Sequence, residues 1–199
     1  MREWHHILNR IMKLSRFNSI PANWLQYFLL IVILLPPAVT ACSPKGNTPA
    51  VPVRQGWVND FADKLKPEEN TRISAALGSY EKETCHQIFL LIIPSLAGEN
   101  IAEFSQRTAS AWEIGQPGFG NGFLVTIALE EGSVRIETGS AFEWFIQDGT
   151  ADKILKDVMF PLFREDRFVE GLERGLKEIM AAGRLKLIPE NHRPDICRQ

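Results

Sequence analysis

The chain has few of the residues that most often mark chemistry. It has three cysteines and four histidines in 199 residues, and none stands at the spacing of a zinc site. Two of the histidines, His5 and His6, lie near the start and His192 in the tail, which leaves His86 as the one histidine of the domain body. His86 follows Cys85 directly. Neighbours on a strand point to opposite faces, so this pair is read as structural rather than catalytic. No basic stripe interleaved with aromatics is present, and the net charge of −2 hides a split. Arg2, Arg10, Lys13 and Arg16 face only Glu3 before residue 43, which leaves the remainder at −5. A mildly acidic domain has no electrostatic attraction to a polyphosphate backbone, so no nucleic-acid partner is expected. No internal repeat argues for a solenoid. One glycine-rich run, residues 115–122, invites a phosphate-loop reading, but its order excludes it. Phosphate loops leave a strand and open a helix, whereas this run leaves a helix and opens a strand. It reads as a turn, with Asn121 and Gly122 supplying positive φ angles.

What the chain does have is an apolar leader. Residues 25–35 are almost continuously apolar, positive charge lies upstream, and Pro36 and Pro37 break any helix there. Val39, Thr40, Ala41 and Cys42 follow, the small residues expected before a secretory cut. The segment resembles a bacterial lipobox, in which Cys42 becomes the lipid-bearing N-terminus, with Val39 in place of the more usual leucine. The alternative is an uncleaved anchor, since residues 24–41 approach the roughly 20 apolar residues of a span. The prolines and the abrupt Ser43-Pro44-Lys45-Gly46 favour cleavage. Both readings tether the chain to a membrane and place it outside the cytoplasm, in the bacterial cell envelope. The organisation expected is a signal peptide with lipobox, or anchor, over residues 1–42, a flexible Pro- and Gly-containing tether over 43–55, a domain over 56–183 and a polar tail over 184–199. An oxidising compartment permits a Cys85–Cys197 disulfide. The plainer expectation is a half-buried thiol at 85 and a loose one at 197.

The domain has 45% apolar content in the whole chain to draw on, enough to bury a core. Pro67 in a first turn, Glu68 and Glu69 behind it, and Ile73, Ala76, Leu77 and Tyr80 on one face predict a helix over residues 67–83. The run Ile-Phe-Leu-Leu-Ile-Ile at 88–93, ended by Pro94, predicts a strand buried on both faces. Asn100 can cap a helix through residue 112, with Phe104, Thr108 and Trp112 inward. Residues 123–129 and 134–138, joined by Glu130-Glu131-Gly132-Ser133, predict a hairpin. Strand, helix, strand implies a right-handed parallel crossover, and the hairpin then adds an antiparallel strand. Asp148 can cap a helix over 149–160, kinked or stopped at Pro161. A last helix spans 168–182, where Gly171 and Gly175 read as close packing in a soluble fold because charged residues surround them. The fold class is α/β, a three-layer sandwich of a small mixed β-sheet flanked by about four helices.

Four motifs, in order, carry a family resemblance. Val58-Asn59-Asp60-Phe61-Ala62-Asp63-Lys64-Leu65 leads into Pro67-Glu68-Glu69. Trp112-Glu113-Ile114-Gly115 precedes the glycine loop. Asn121-Gly122 opens a strand, and Val134-Arg135-Ile136-Glu137 continues to Gly139. Together they resemble the TPM domain family over residues 57–182. That family includes a thylakoid-lumen acid phosphatase involved in photosystem repair and many bacterial membrane-anchored proteins. The resemblance implies an acidic cluster holding a divalent cation, Ca²⁺ or Mg²⁺, near one end of the sheet. Carried over position by position, its members are Asp60, Asn121, Asp148 and Glu143. An aspartate that phosphatase-type members place before Asn-Gly falls here at Gly120, and the usual Tyr-Gly after Gly139 is replaced by Ser140-Ala141. Loss of one anionic oxygen weakens a hard-cation site.

Each of the four also suits an ordinary role. Asp148 suits a helix cap, Asn121 a turn, Asp60 a cap of the N-terminal segment, and Glu143 a solvated surface. The aromatic cluster Phe142, Trp144 and Phe145 reads as core or loop cover; exposed, it would be a partner surface. Two functions are therefore expected: a membrane-tethered binding factor for assembly or maintenance of envelope complexes, with an envelope protein as partner, or a weak divalent-metal-dependent phosphatase.

Overall fold

The structure, a computed structural model, describes residues 49–185. The leader, Cys42, and most of the tail, including Cys197, lie outside the described residues. Among the described residues no helix is long and apolar enough to cross a membrane.

A four-stranded sheet runs in the order β1-β2-β3-β4. Its strands are β1 (Val58–Asp60), β2 (Gln87–Ile93), β3 (Gly122–Ala128) and β4 (Ser133–Thr138). β1, β2 and β3 are parallel, and β4 returns antiparallel to β3. The parallel pairing of β2 with β3 across an α-helical segment and the hairpin of β3 with β4 arise as the sequence predicts. β1 was not foreseen: three residues are too few for an alternation to register, and this strand exists because Val58 pairs with Leu90.

The helices are α1 (Pro67–Thr84), α2 (Ile101–Ala111), the short α3 (Glu143–Gln147), α4 (Thr150–Lys153), α5 (Phe160–Arg164) and α6 (Phe168–Arg184). β3 is buried along its whole length and β2 from Ile88 onward, and their alternation divides the core in two. Ile88, Leu90, Ile92, Phe123, Val125 and Ile127 pack against α1 and α6 through Ile73, Leu77, Leu172, Leu176 and Ile179. Phe89, Leu91, Ile93, Leu124 and Ala128 form the opposite face, under Phe104 of α2 and Trp112. Three layers result, helix, sheet, helix. Each face removes several large side chains from water, at about 25 cal/mol per Å² of apolar surface.

Two local features differ from the sequence expectation. Residues 49–55, expected as the end of a flexible tether, lie against the domain. Trp112 Nε1 donates to the Pro52 carbonyl at 2.8 Å, Arg107 to that of Pro49 at 2.9 Å, and the Arg54 guanidinium sits over the Phe89 ring. Prolines leave carbonyls without matching N–H groups, and here side-chain donors use them. The single helix expected over 149–160 is instead α4, a π-helical stretch Ile154–Met159, and α5. Pro161 stands in the first turn of α5. Its ring and missing N–H disturb the preceding turn, and widening that turn accommodates them. The glycine pair of α6 behaves as expected for soluble packing: a Cβ on Gly171 would stand 2.8 Å from the Phe163 ring, and one on Gly175 would meet Met159.

Candidate functional site

The motif at the domain's start is built for backbone satisfaction. Asn59 is fully buried. Its Oδ1 accepts from the backbone N–H groups of Gln55 and Gly56, and its Nδ2 donates to the carbonyls of Gly56 and Leu90. Asp60 ends β1. One of its oxygens accepts from Ala62 N–H at 3.1 Å and the other from Leu65 N–H at 2.7 Å. Both oxygens are thus engaged in holding the turn into α1.

Asn121 lies at the other end of the sheet. Asp60 pairs in register with Ile92, whereas Gly122 pairs with Gln87, which sets Asn121 level with His86. The offset of six residues on β2 amounts to roughly 20 Å along the strands. Asn121 is also fully buried. Its Nδ2 donates to the Cys85 carbonyl and to Gln116 Oε1, and its Oδ1 accepts from Gln116 N–H at 2.8 Å. The expected positive φ is not at Asn121 or Gly122 but at Gly115, Gly118 and Gly120; Asn121 anchors the loop with its side chain instead. Gly115 N–H is likewise taken, by Gln87 Oε1 at 2.8 Å. The glycine loop has spent these donors internally.

Glu143 and Asp148 accompany Asn121's end, because residues 139–141 run beside Gly120 and Gly122 through backbone bonds. Glu143 opens α3 and Asp148 follows its end, both exposed. A spacing of five residues turns them about 140° apart on a helix. Asp148 Oδ1 accepts from Thr150 N–H at 2.9 Å. Its bonds with Thr150, side chain first and then backbone, and the nearby Lys153 ammonium hold its carboxyl below the usual range. Gly149, at φ +75°, is the residue that opens α4. The structure therefore brings Glu143 and Asp148 to Asn121's end and leaves Asp60 at the other. Among the described residues no three His, Cys, Asp or Glu side chains converge as a metal-ligand group.

Gly120 has a steric reason for lacking a side chain. Its φ is +56°, and a Cβ there would run into the Ser140 hydroxyl and stand 2.9 Å from the Ser140 N–H. The 120–122 and 139–141 segments are pressed together, so an aspartate has no room. The aromatic cluster is core: Phe142 and Phe145 are fully buried against Phe123. His86 is buried with its ring edge-on to Phe142 at 4.8 Å. Cys85 corrects the expectation of separate thiols, since it is disulfide-bonded. Burial at 0% exposure makes it a structural sulfur rather than a reactive one.

The opposite end of the sheet holds a feature that the sequence reading passed over. An open cavity of about 540 Å³ lies beyond the C-terminal end of β3, between the hairpin turn and the α5–α6 corner. Its available signal was the run Phe160, Phe163 and Phe168 around Pro161 and Arg164, too many aromatics for a plain corner.

The TPM domain family profile matches residues 58–182. Solved structures share the fold. The N-terminal domain of a protein from P. gingivalis is 26% identical, with 69% of this chain and 87% of that one covered at a TM-score of 0.59. The BA42 protein from Bizionia argentinensis is 17% identical, over 68% and 93%, at 0.58. The N-terminal domain of cg2496 from Corynebacterium glutamicum is 17% identical, over 67% and 84%, at 0.51. No curated protein matches the chain significantly. The motif order, the mixed sheet and the profile match agree, and the chain belongs to the TPM domain family.

Proposed function

We propose that this chain is a membrane-tethered, extracytoplasmic TPM-domain protein that works by binding, as an assembly or maintenance factor for envelope complexes, rather than by hydrolysis. One observation carries the reading. The residues that the family resemblance nominates for a cation, Asp60, Asn121, Glu143 and Asp148, stand at two ends of the sheet, and three of them accept backbone N–H bonds. A hard cation needs several oxygens on one centre, preferably anionic. Oxygens already committed to backbone donors, one of them on a fully buried amide, supply that poorly. The lipobox-like leader supports the tether, with Cys42 as the lipid-bearing residue.

The deciding experiment is release of phosphate from a phosphate monoester by the full chain, with and without Ca²⁺ or Mg²⁺. The expected outcome is no cation-stimulated turnover and no saturable heat of cation binding. Turnover that needs the cation and disappears in Asp60→Asn would overturn the binding reading in favour of a divalent-metal-dependent phosphatase. Mass spectrometry of the membrane fraction tests the tether: the expected N-terminal residue is lipid-modified Cys42, and an intact leader on most molecules would replace cleavage with an anchor.

A further inference from the structure

The cavity at the C-terminal end of β3 joins an apolar floor to a cationic rim. Ile127 and Leu129 at the strand end and Val134 on the returning strand form the floor. Phe160, Phe163 and Phe168 form the opposite wall, all partly exposed. The Phe163 and Phe168 rings stack at 4.9 Å, so this wall is a fixed apolar surface. Lys64, from the loop after β1, places its ammonium 5.2 Å from the centre of the Phe168 ring. Arg164 lines the same cavity.

Arg164 differs from the other described arginines. Arg72, Arg107, Arg135, Arg167, Arg174 and Arg184 are ion-paired to carboxylates, and Arg54 donates to a carbonyl. The neighbouring Arg167 is fully engaged by Glu165 and Glu170. Among the described residues Arg164 has no carboxylate within ion-pair distance, and neither has Lys64. Asp166 is the one acid of the lining. Two cations against one anion leave a single positive charge beside an apolar trough.

We propose that this cavity binds a single-chain fatty acyl carboxylate, with the chain along the phenylalanine wall and the carboxylate at Arg164 and Lys64. The volume lies within the roughly 300–1,000 Å³ of small-molecule sites. A guanidinium presents a planar fork that matches a carboxylate, and the aromatic and aliphatic walls remove the acyl chain from water. The surplus of one charge suits a monoanionic head rather than a phosphate dianion. The site lies beyond the C-terminal ends of parallel strands, where open α/β sheets commonly hold ligands. The inference goes beyond the assembly reading above and does not depend on it.

The test uses the full chain and a dodecanoate probe carrying a photoreactive diazirine, with the labelled peptides mapped by mass spectrometry. Labelling is expected within residues 127–134 or 160–168. Unlabelled dodecanoate should protect, and dodecanol and dodecyltrimethylammonium at equal concentration should not. Arg164→Ala should reduce saturable labelling about tenfold, the weight of one charge-assisted contact, and Arg164→Lys should retain part of it. Val134→Trp, which fills the trough from a partly buried position at the edge of the core, should abolish it; a circular dichroism spectrum and melting point confirm folding of each variant. Labelling confined to other segments, or equal protection by the neutral or cationic amphiphile, would overturn the proposal. Protection by dodecyl phosphate stronger than by dodecanoate would overturn the carboxylate assignment.

Discussion

Asn121 is the residue on which the two ways of reading this chain diverge. The family resemblance nominates it as a cation ligand, and its surroundings make it the rivet of a loop. Its amide joins the Cys85 carbonyl, Gln116 Oε1 and Gln116 N–H with no exposed surface. Asn121→Ala removes all three contacts and strands buried polar groups, so it should cost about 2–4 kcal/mol. Chemical denaturation measures this, and a loss below 1 kcal/mol would mean the loop does not depend on the amide. Gly120 gives the converse case. From the resemblance alone, an aspartate at 120 would add an anionic ligand beside Asn121. The structure predicts damage instead. The backbone is left-handed there, and a Cβ meets Ser140. Gly120→Asp should destabilise the domain by at least 1–3 kcal/mol from the backbone conformation alone, without a gain in Ca²⁺ binding by calorimetry. Tighter Ca²⁺ binding with unchanged stability would show that the 139–141 segment yields.

At the scale of elements, most of the fold was legible in the sequence, and for identifiable reasons. α1, α2 and α6 combine a periodic apolar face with terminal signals. Asn100, for example, does accept from Ala102 N–H at 2.8 Å. β2 and β3 are largely apolar, with Gln87 and Thr126 the polar residues among them, and the turn between β3 and β4 contains Gly132 at φ +57°. What was not legible depends on tertiary contact. The π-helical stretch Ile154–Met159 has ordinary α-helical spacing, and its widening reflects Pro161 together with the seating of Met159 against Gly175. β1 is also what divides the candidate set between two ends of the sheet. A residue that ends one parallel strand and a residue that precedes another lie at opposite ends of a sheet, so recognition of β1 would have separated Asp60 from Asn121. The register itself offers a test. Val125 is fully buried between Leu90 and Ile136. Val125→Asp places an unpaired charge in the main core and should cost several kcal/mol, beyond the reach of a surface substitution. A melting point within a few degrees of wild type would contradict this register.

The whole molecule should be most stable across a pH window whose two limits have separate structural origins. On the acid side stand Glu83, Glu131 and Asp148. Arg184 holds the Glu83 carboxyl below its usual range, the Ser95 hydroxyl chiefly does so for Glu131, and Thr150 for Asp148. A lowered folded pKa contributes stability that is present above the unfolded value and lost as pH falls through the folded one, so Glu83 and Glu131 begin to fail below about pH 4.5 and Asp148 below about pH 3.8. All are solvent-facing and should act weakly. On the alkaline side stands Tyr80, which is 1% exposed beneath the clasp between Arg184 and Glu83 that joins the C-terminal ends of α1 and α6. Burial pushes its hydroxyl up to about 12, against smaller downward pulls from Thr84 and Arg184. The sign is opposite to that of the carboxylates. The neutral phenol is the form that folds, so its contribution is complete below the unfolded value of 10.0 and is lost as pH rises toward about 12. Two pH units correspond to about 3 kcal/mol. Tyr80→Phe keeps the ring and removes the titration. Denaturant midpoints measured from pH 8 to 12 should fall for wild type and fall distinctly less for Tyr80→Phe, with the two close at pH 8. Parallel alkaline limbs would mean that Tyr80 ionises in the folded protein at little cost, and that the α1–α6 clasp opens to solvent well before the core does.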